Sequence, residues 1–179
     1  PTALATQQSI KAYVDLYKPN LVRTVVDERS SLNASGFKDL TTATQALEVT
    51  ITPKFGDSDF KINCEVGAGN YNPMHVVLRV QYKINNGSYQ NFDISSEAQS
   101  ADTSKFHMQH ASPYDTPSEM EVIPFSAFLA DASYSTGDTL TFKVQGFYDT
   151  IDRFYFNRTE NGGDFPRSRS FIEVQEIYQ

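Results

Sequence analysis

The spacing of apolar residues along this chain changes once, near Pro19. Upstream, Gln7, Ile10, Val14, Tyr17 and Leu21 follow one another at alternating steps of three and four, the spacing of a coiled-coil seam. Downstream, apolar residues return at every second position, as in Leu47, Val49 and Ile51 or Val76, Leu78, Val80 and Tyr82. That is the period of a strand with one buried face. The pattern predicts a helix from a Thr6 cap to about Lys18, ended by Pro19-Asn20. A helix of about three turns is marginal alone in water. It must pack on its own head or bundle with copies of itself. The chain therefore divides into a helical stem, residues 1–19, and a β-rich head, residues 20–179.

Within the head, Leu21 to Glu28 reads as a strand or a continued connector, and Ser30 to Thr44 as a polar loop with local packing at Leu32, Phe37 and Leu40. Strands are predicted at Leu47–Pro53, Phe60–Val66, Met74–Ile84, Tyr89–Ile94 and Lys105–Gln109. Further strands are predicted at Met120–Leu129, Thr139–Tyr148, Arg153–Asn157 and Ser170–Ile177. Asn85-Asn86-Gly87 is a hairpin signal, because Asn and Gly tolerate positive φ. Strands this numerous, joined by short turns, argue for an all-β sandwich or barrel. Their irregular connections favour a jelly-roll sandwich, preceded here by a short N-terminal helical stem.

Composition agrees with strands: 13% of residues are aromatic, carried by 13 Phe and 10 Tyr with no Trp. At 39% hydrophobic and 21% charged, the 179 residues suffice for one globular domain with its own core. The net charge of −7 and the absence of a basic block interleaved with aromatics argue against a nucleic-acid partner. No apolar run approaches the roughly 18–20 residues that cross a bilayer, so no membrane insertion is expected. Pro1 to Gln8 lacks the basic and apolar regions of a signal peptide, and a Pro start is what removal of an initiator Met leaves. A complete or nearly complete product with no export signal is the expectation. Cys64 is the single cysteine and alternates with Phe60, Ile62 and Val66, which predicts a buried structural thiol.

Candidate chemistry is sparse. There is no Gly-x-Ser-x-Gly elbow, no phosphate-binding loop and no His-Glu-x-x-His pair. Of the three histidines, His75 opens a strand, while His107 and His110 sit three apart and point to opposite faces of one. They cannot share a metal without a bulge. Asp57 with Asp59, Asp149 with Asp152, and Glu160 with Asp164 could offer oxygen ligands to Ca²⁺, but lack the spacing of a dedicated loop. Asp in turns mostly caps its own backbone. No catalytic residue, cofactor or metal is expected, and the chain is not read as an enzyme. The Asn33, Asn86 and Asn157 triplets of the N-x-S/T type are taken as chance occurrences.

Loop aromatics are the better candidates for binding. Tyr71, Tyr114, Tyr134 and Phe165 lie among Asn, Ser, Asp and Pro, a setting in which flat rings and short polar groups recognise a saccharide or a protein surface. The competing reading is that these rings fold back onto the ends of the sandwich. Arg153, Arg158, Arg167 and Arg169 cluster near the C-terminus among acids, and salt bridges between subunits explain them most economically.

Two segments carry a family resemblance. LATQQSIKAYVD, Leu4 to Asp15, resembles a line that precedes trimeric heads in virion fibre proteins of tailed phages. FYFNRTENGGDFPRSRSFIEVQEIY, Phe154 to Tyr178, is similar to the closing segment of such heads, and VIPFSAFLAD suits their penultimate region. The resemblance implies a homotrimeric jelly-roll head at the virion surface, on tail or capsid. Its partners would be itself, other virion proteins and a host surface glycan or protein. Ile10, Val14, Tyr17 and Leu21 would be the oligomerisation positions. A stem this short implies a short tail fibre, spike or knob rather than a long shaft. Two alternatives remain at this point: a capsid-decorating or adaptor virion protein, and a glycan-active hydrolase on the same scaffold.

Overall fold

The computed structural model describes residues 7–33, 36–69, 74–92, 106–112, 120–148, 153–158 and 168–178. Helix α1 spans Gln7–Leu16. The strands are β1 Leu21–Val26, β2 Ser30–Asn33, β3 Lys38–Asp39, β4 Glu48–Ile51, β5 Asp59–Gly69, β6 Met74–Ile84, β7 Gln90–Asn91, β8 Met108–Ser112, β9 Met120–Leu129, β10 Leu140–Tyr148, β11 Arg153–Phe156 and β12 Ser170–Ile177.

Eight of these strands make two antiparallel sheets, ordered β1-β12-β5-β9 and β4-β10-β6-β8. Among these eight the chain crosses to the other sheet at every step except from β6 to β8, which pair within one sheet, and this is the two-Greek-key winding of a jelly roll. The four short strands fill in along the same lines. β11 meets β5 at Phe156–Ala68, beyond the point where β12 leaves it at Phe171–Glu65, and β2 continues the line of β1 beside β11. β3 lies beside β10 past the end of β4, and β7 and β8 share one edge of β6. Ser30 to Thr44 is thus not simply a loop. It contributes one short strand to each sheet, and Leu40 is buried in the core. The helix closes at Leu16, two residues short of the sequence expectation.

The core lies between the sheets and follows the alternation read from the sequence. Phe60, Ile62, Cys64 and Val66 of β5 face Phe142, Val144, Leu78 and Val80 of the opposite sheet within one buried cluster. Burial pushes the Cys64 thiol far above its ordinary range, since a thiolate there would lose its hydration. Asn157 closes one end. Its φ of +56° is left-handed, and its Nδ2 donates to the Val26 and Glu28 carbonyls, both at 3.0 Å. Its Oδ1 accepts from Ser170 Oγ at 2.6 Å. The chain passes so close that a Cβ on Gly67 would overlap Ser168 Oγ, and one on Gly69 would overlap the Arg158 carbonyl.

Candidate functional site

The stem joins the head through one buried carboxylate. β12 alternates, and Ile172, Val174 and Glu176 all face inward, Glu176 at 2% exposure. Glu176 Oε1 accepts from the N–H groups of Lys54 (2.9 Å) and Phe55 (3.1 Å) and from Ser58 Oγ (2.8 Å). Its Oε2 accepts from Asn20 Nδ2 at 2.6 Å and from the Lys54 N–H at 3.0 Å. One carboxylate thereby fixes the 54–58 turn and the first residue after the stem.

That turn holds the helix. Lys54 Nζ donates to the carbonyls of Asp15 (2.8 Å), Leu16 (3.2 Å) and Lys18 (2.8 Å), and Tyr178 Oη donates to the Lys18 carbonyl at 2.7 Å. The last turn of α1 has no basic residue of its own, so the head supplies the cation that its dipole favours. Tyr17, Phe55 and Tyr178 pack in sequence, with ring centroids 6.1 and 4.9 Å apart.

Beyond this root the stem touches little. No residue of α1 is buried. The four seam positions, Ile10, Val14, Tyr17 and Leu21, are each exposed by 48–53%. Ile10 and Val14 lie on α1 beside Tyr13, and Tyr17 follows just past its end with its ring 4.8 Å from that of Tyr13. Leu21, expected on the same seam, is the first residue of β1 and leaves it because the helix ends at Leu16. Three apolar side chains repeating at helical spacing stand in water in the isolated chain.

The two sheets differ on their outer faces. Every large hydrophobic side chain exposed among the described residues lies on the stem, at its root, on β1 or on β9. The outer face of the β4-β10-β6-β8 sheet is instead a polar lattice. Asp39 accepts from Lys143 Nζ (2.9 Å) and Gln145 Nε2 (2.6 Å), and Gln145 accepts from Arg79 Nε at 2.7 Å. Arg79 stacks 3.8 Å over Phe37, and Lys143 lies 3.8 Å over Tyr89. Burial, and then the hydrogen bond to Glu48 at 2.5 Å, push Tyr89 well above the usual phenol range. At one rim of this face an open groove of about 510 Å³ is lined by Leu32, Phe37, Lys38, Asp39 and Thr41. Its carboxylate, Asp39, is engaged by Lys143 and Gln145. The groove can bind by contact and hydrogen bonding.

Of the aromatic loop candidates, Tyr71, Tyr114 and Phe165 lie outside the described residues. Tyr134 folds back onto the sandwich. Its ring packs 5.6 Å from Phe60, and its hydroxyl donates to the Ser58 carbonyl at 2.9 Å. His107 accepts from the Val80 N–H through Nδ1 at 3.1 Å and packs on Phe92. No group of His, Cys, Asp and Glu among the described residues is arranged to hold a metal ion. Asp59 accepts from the Asp131 N–H, as a turn carboxylate does. Arg158 lies over the Tyr155 ring at 5.8 Å. No helix among the described residues is long and apolar enough to cross a membrane.

Sequence reasoning passed over Glu176, though its signal was present: a carboxylate in register with Ile172 and Val174 occupies a core position. It also passed over Lys54, which nothing local marks. Comparison of the chain with protein-family models and with curated proteins gives no match.

Proposed function

We propose that this protein is a non-enzymatic virion surface component of the tailed-phage fibre, spike or knob type. Its stem gathers three copies, and the joined heads bind a host surface glycan or protein. The observation that carries this reading is the stem. A ten-residue helix with no buried side chain is fastened firmly to the head at one end and presents an apolar stripe along its length. Burying one apolar side chain is worth about 1.5–3 kcal/mol, so a bundle of three stems offsets ordering that one chain cannot. Adhesion without chemistry fits the polar, ring-bearing outer face of the β4-β10-β6-β8 sheet.

Light scattering on the full chain tests the first half. The expected mass is three times 20.1 kDa, falling to a monomer when Ile10 and Val14 are both replaced by Asp. A monomeric wild type overturns the reading. The second half is tested by labelled protein on host cells: saturable binding that competes with infection supports adhesion. Binding only to stripped particles would place the protein among decorating or adaptor components.

A further inference from the structure

We infer that the head carries its own self-association interface, in which the β1 edge of one copy packs against the β9 edge of the next. This rests on the trimeric reading above and names the surface that completes the ring.

The outer face of the β1-β12-β5-β9 sheet is ordered in rows by its register. One row reads Val25, Phe171, Glu65, Pro124; the next, Arg23, Glu173, Asn63, Ser126; the third, nearest the stem, Leu21, Gln175, Lys61, Phe128. Apolar side chains therefore stand mainly on the two edge strands, with polar ones between them. Leu21 and Val25 on β1, and Val122 and Phe128 on β9, are exposed by 44–48%. The two edges lie about 14 Å apart, three strand spacings. Two separate apolar ridges on opposite edges of one sheet suit a head-to-tail contact, in which each copy offers one ridge and receives the other. Such contacts close into a ring when the rotation is right, and stems bundled in threes impose that rotation.

Three features select a second copy as the occupant. Charge comes first: the chain carries −7, so copies repel unless they meet where charge is balanced. Across the three rows Arg23 and Lys61 offset Glu65 and Glu173. Continuity comes second: β1 begins two residues after Pro19, so copies joined at the stem are neighbours at Leu21. Third, Pro124 sits within β9, an edge strand. Proline there lacks the N–H that strand addition uses, which directs contact to side chains rather than to an extended sheet.

The test uses full-length chains with V25C, V122C or F128C and a bismaleimide shorter than the separation of the two ridges. Native Cys64 is buried and stays silent. Mixing V25C chains with V122C or F128C chains should yield a cross-linked dimer on a denaturing gel. Chains carrying V25C with either partner should yield a covalent trimer, and each single variant alone should stay monomeric on the gel. Homodimers from the single variants would overturn the inference by showing like edges meeting. An absence of cross-links at a solution mass three times 20.1 kDa would overturn it while leaving the stem-driven trimer intact. A monomeric solution mass would sink both.

Discussion

Replacing Glu176 with Gln is the sharpest probe of how the stem is rooted. Gln keeps the shape and one acceptor, and it loses the charge and the second acceptor. With its Oε1 in place, Gln still accepts from Lys54 N–H, Phe55 N–H and Ser58 Oγ. Each of those bonds falls from the charged range, about 1.5–3 kcal/mol, to the neutral one, about 0.5–1.5 kcal/mol. Its Nε2 then faces Asn20 Nδ2 at a site where the carboxylate accepted at 2.6 Å. Asn20 cannot simply flip its amide, because the same Nδ2 donates to the Thr52 carbonyl at 2.9 Å. The mismatch adds about 1–3 kcal/mol. The expected loss is about 4–7 kcal/mol, read as the change in urea unfolding free energy at neutral pH with an unchanged m-value. Ser58→Ala alone removes one of these bonds and should cost about 1.5–3 kcal/mol. In the double variant the two losses should fall short of additivity, because both act on one group. A Glu176→Gln loss below about 1 kcal/mol would refute the view that the buried charge organises this junction.

Three further outcomes follow from the same geometry. Lys54→Met removes the cation from the α1 carbonyls, so the helical circular dichroism signal of the ten-residue stem should weaken while the head keeps its unfolding midpoint within a few degrees. Unchanged helicity would show that the Tyr17-Phe55-Tyr178 packing suffices. Asn157→Ala deletes bonds to Val26, Glu28 and Ser170 and leaves a left-handed φ on a residue that disfavours it. Unfolding should show a loss of about 2–4 kcal/mol, and a loss below about 1 kcal/mol would mean that the clasp is redundant. Hydrogen bonds from Thr42 and Thr44 hold Glu28 below the usual carboxylate range, and those from Asn85 and the Ser135 N–H do the same for Asp138. Folded values below the unfolded ones mean that this stability is fully present above about pH 4.5 and is lost as pH falls through the folded values. The acid slope of the unfolding midpoint should therefore shallow in a Thr42→Val, Thr44→Val, Asn85→Ala variant, and an unchanged slope would exclude these two carboxylates as its source.

What the sequence revealed of the fold depended on where the deciding partners lie. β9 and β12 fall at the predicted bounds because each has one face on the core, and period-two burial is written into the strand itself. β2 and β3 were hidden for the opposite reason. They are short and polar, and their partners, Arg153–Phe156 and Gln145-Gly146, lie more than a hundred residues away. No local pattern encodes such a pairing. Tyr134 illustrates a second limit: an aromatic in a polar loop reads the same whether its ring faces water or, as here, the buried Phe60. The sequence supplied the chemistry and could not supply the direction.

The stem seam lies between these cases. Its period told which side chains share a face, and Ile10, Val14 and Tyr17 do share one. Whether that face is covered is a property of the assembly rather than of the chain. The rooting of the helix sharpens the point. A flexible tether would let the apolar stripe fold back onto its own sandwich. Glu176 instead orders the turn carrying Lys54, whose ammonium grips the last carbonyls of α1 and holds the stripe away from the core. Apolar surface kept exposed by this hydrogen-bonded junction costs stability in the isolated chain. Under the proposed trimer, copies of the chain recover that cost by meeting at the stem, with the edge ridges of β1 and β9 brought together in the same step.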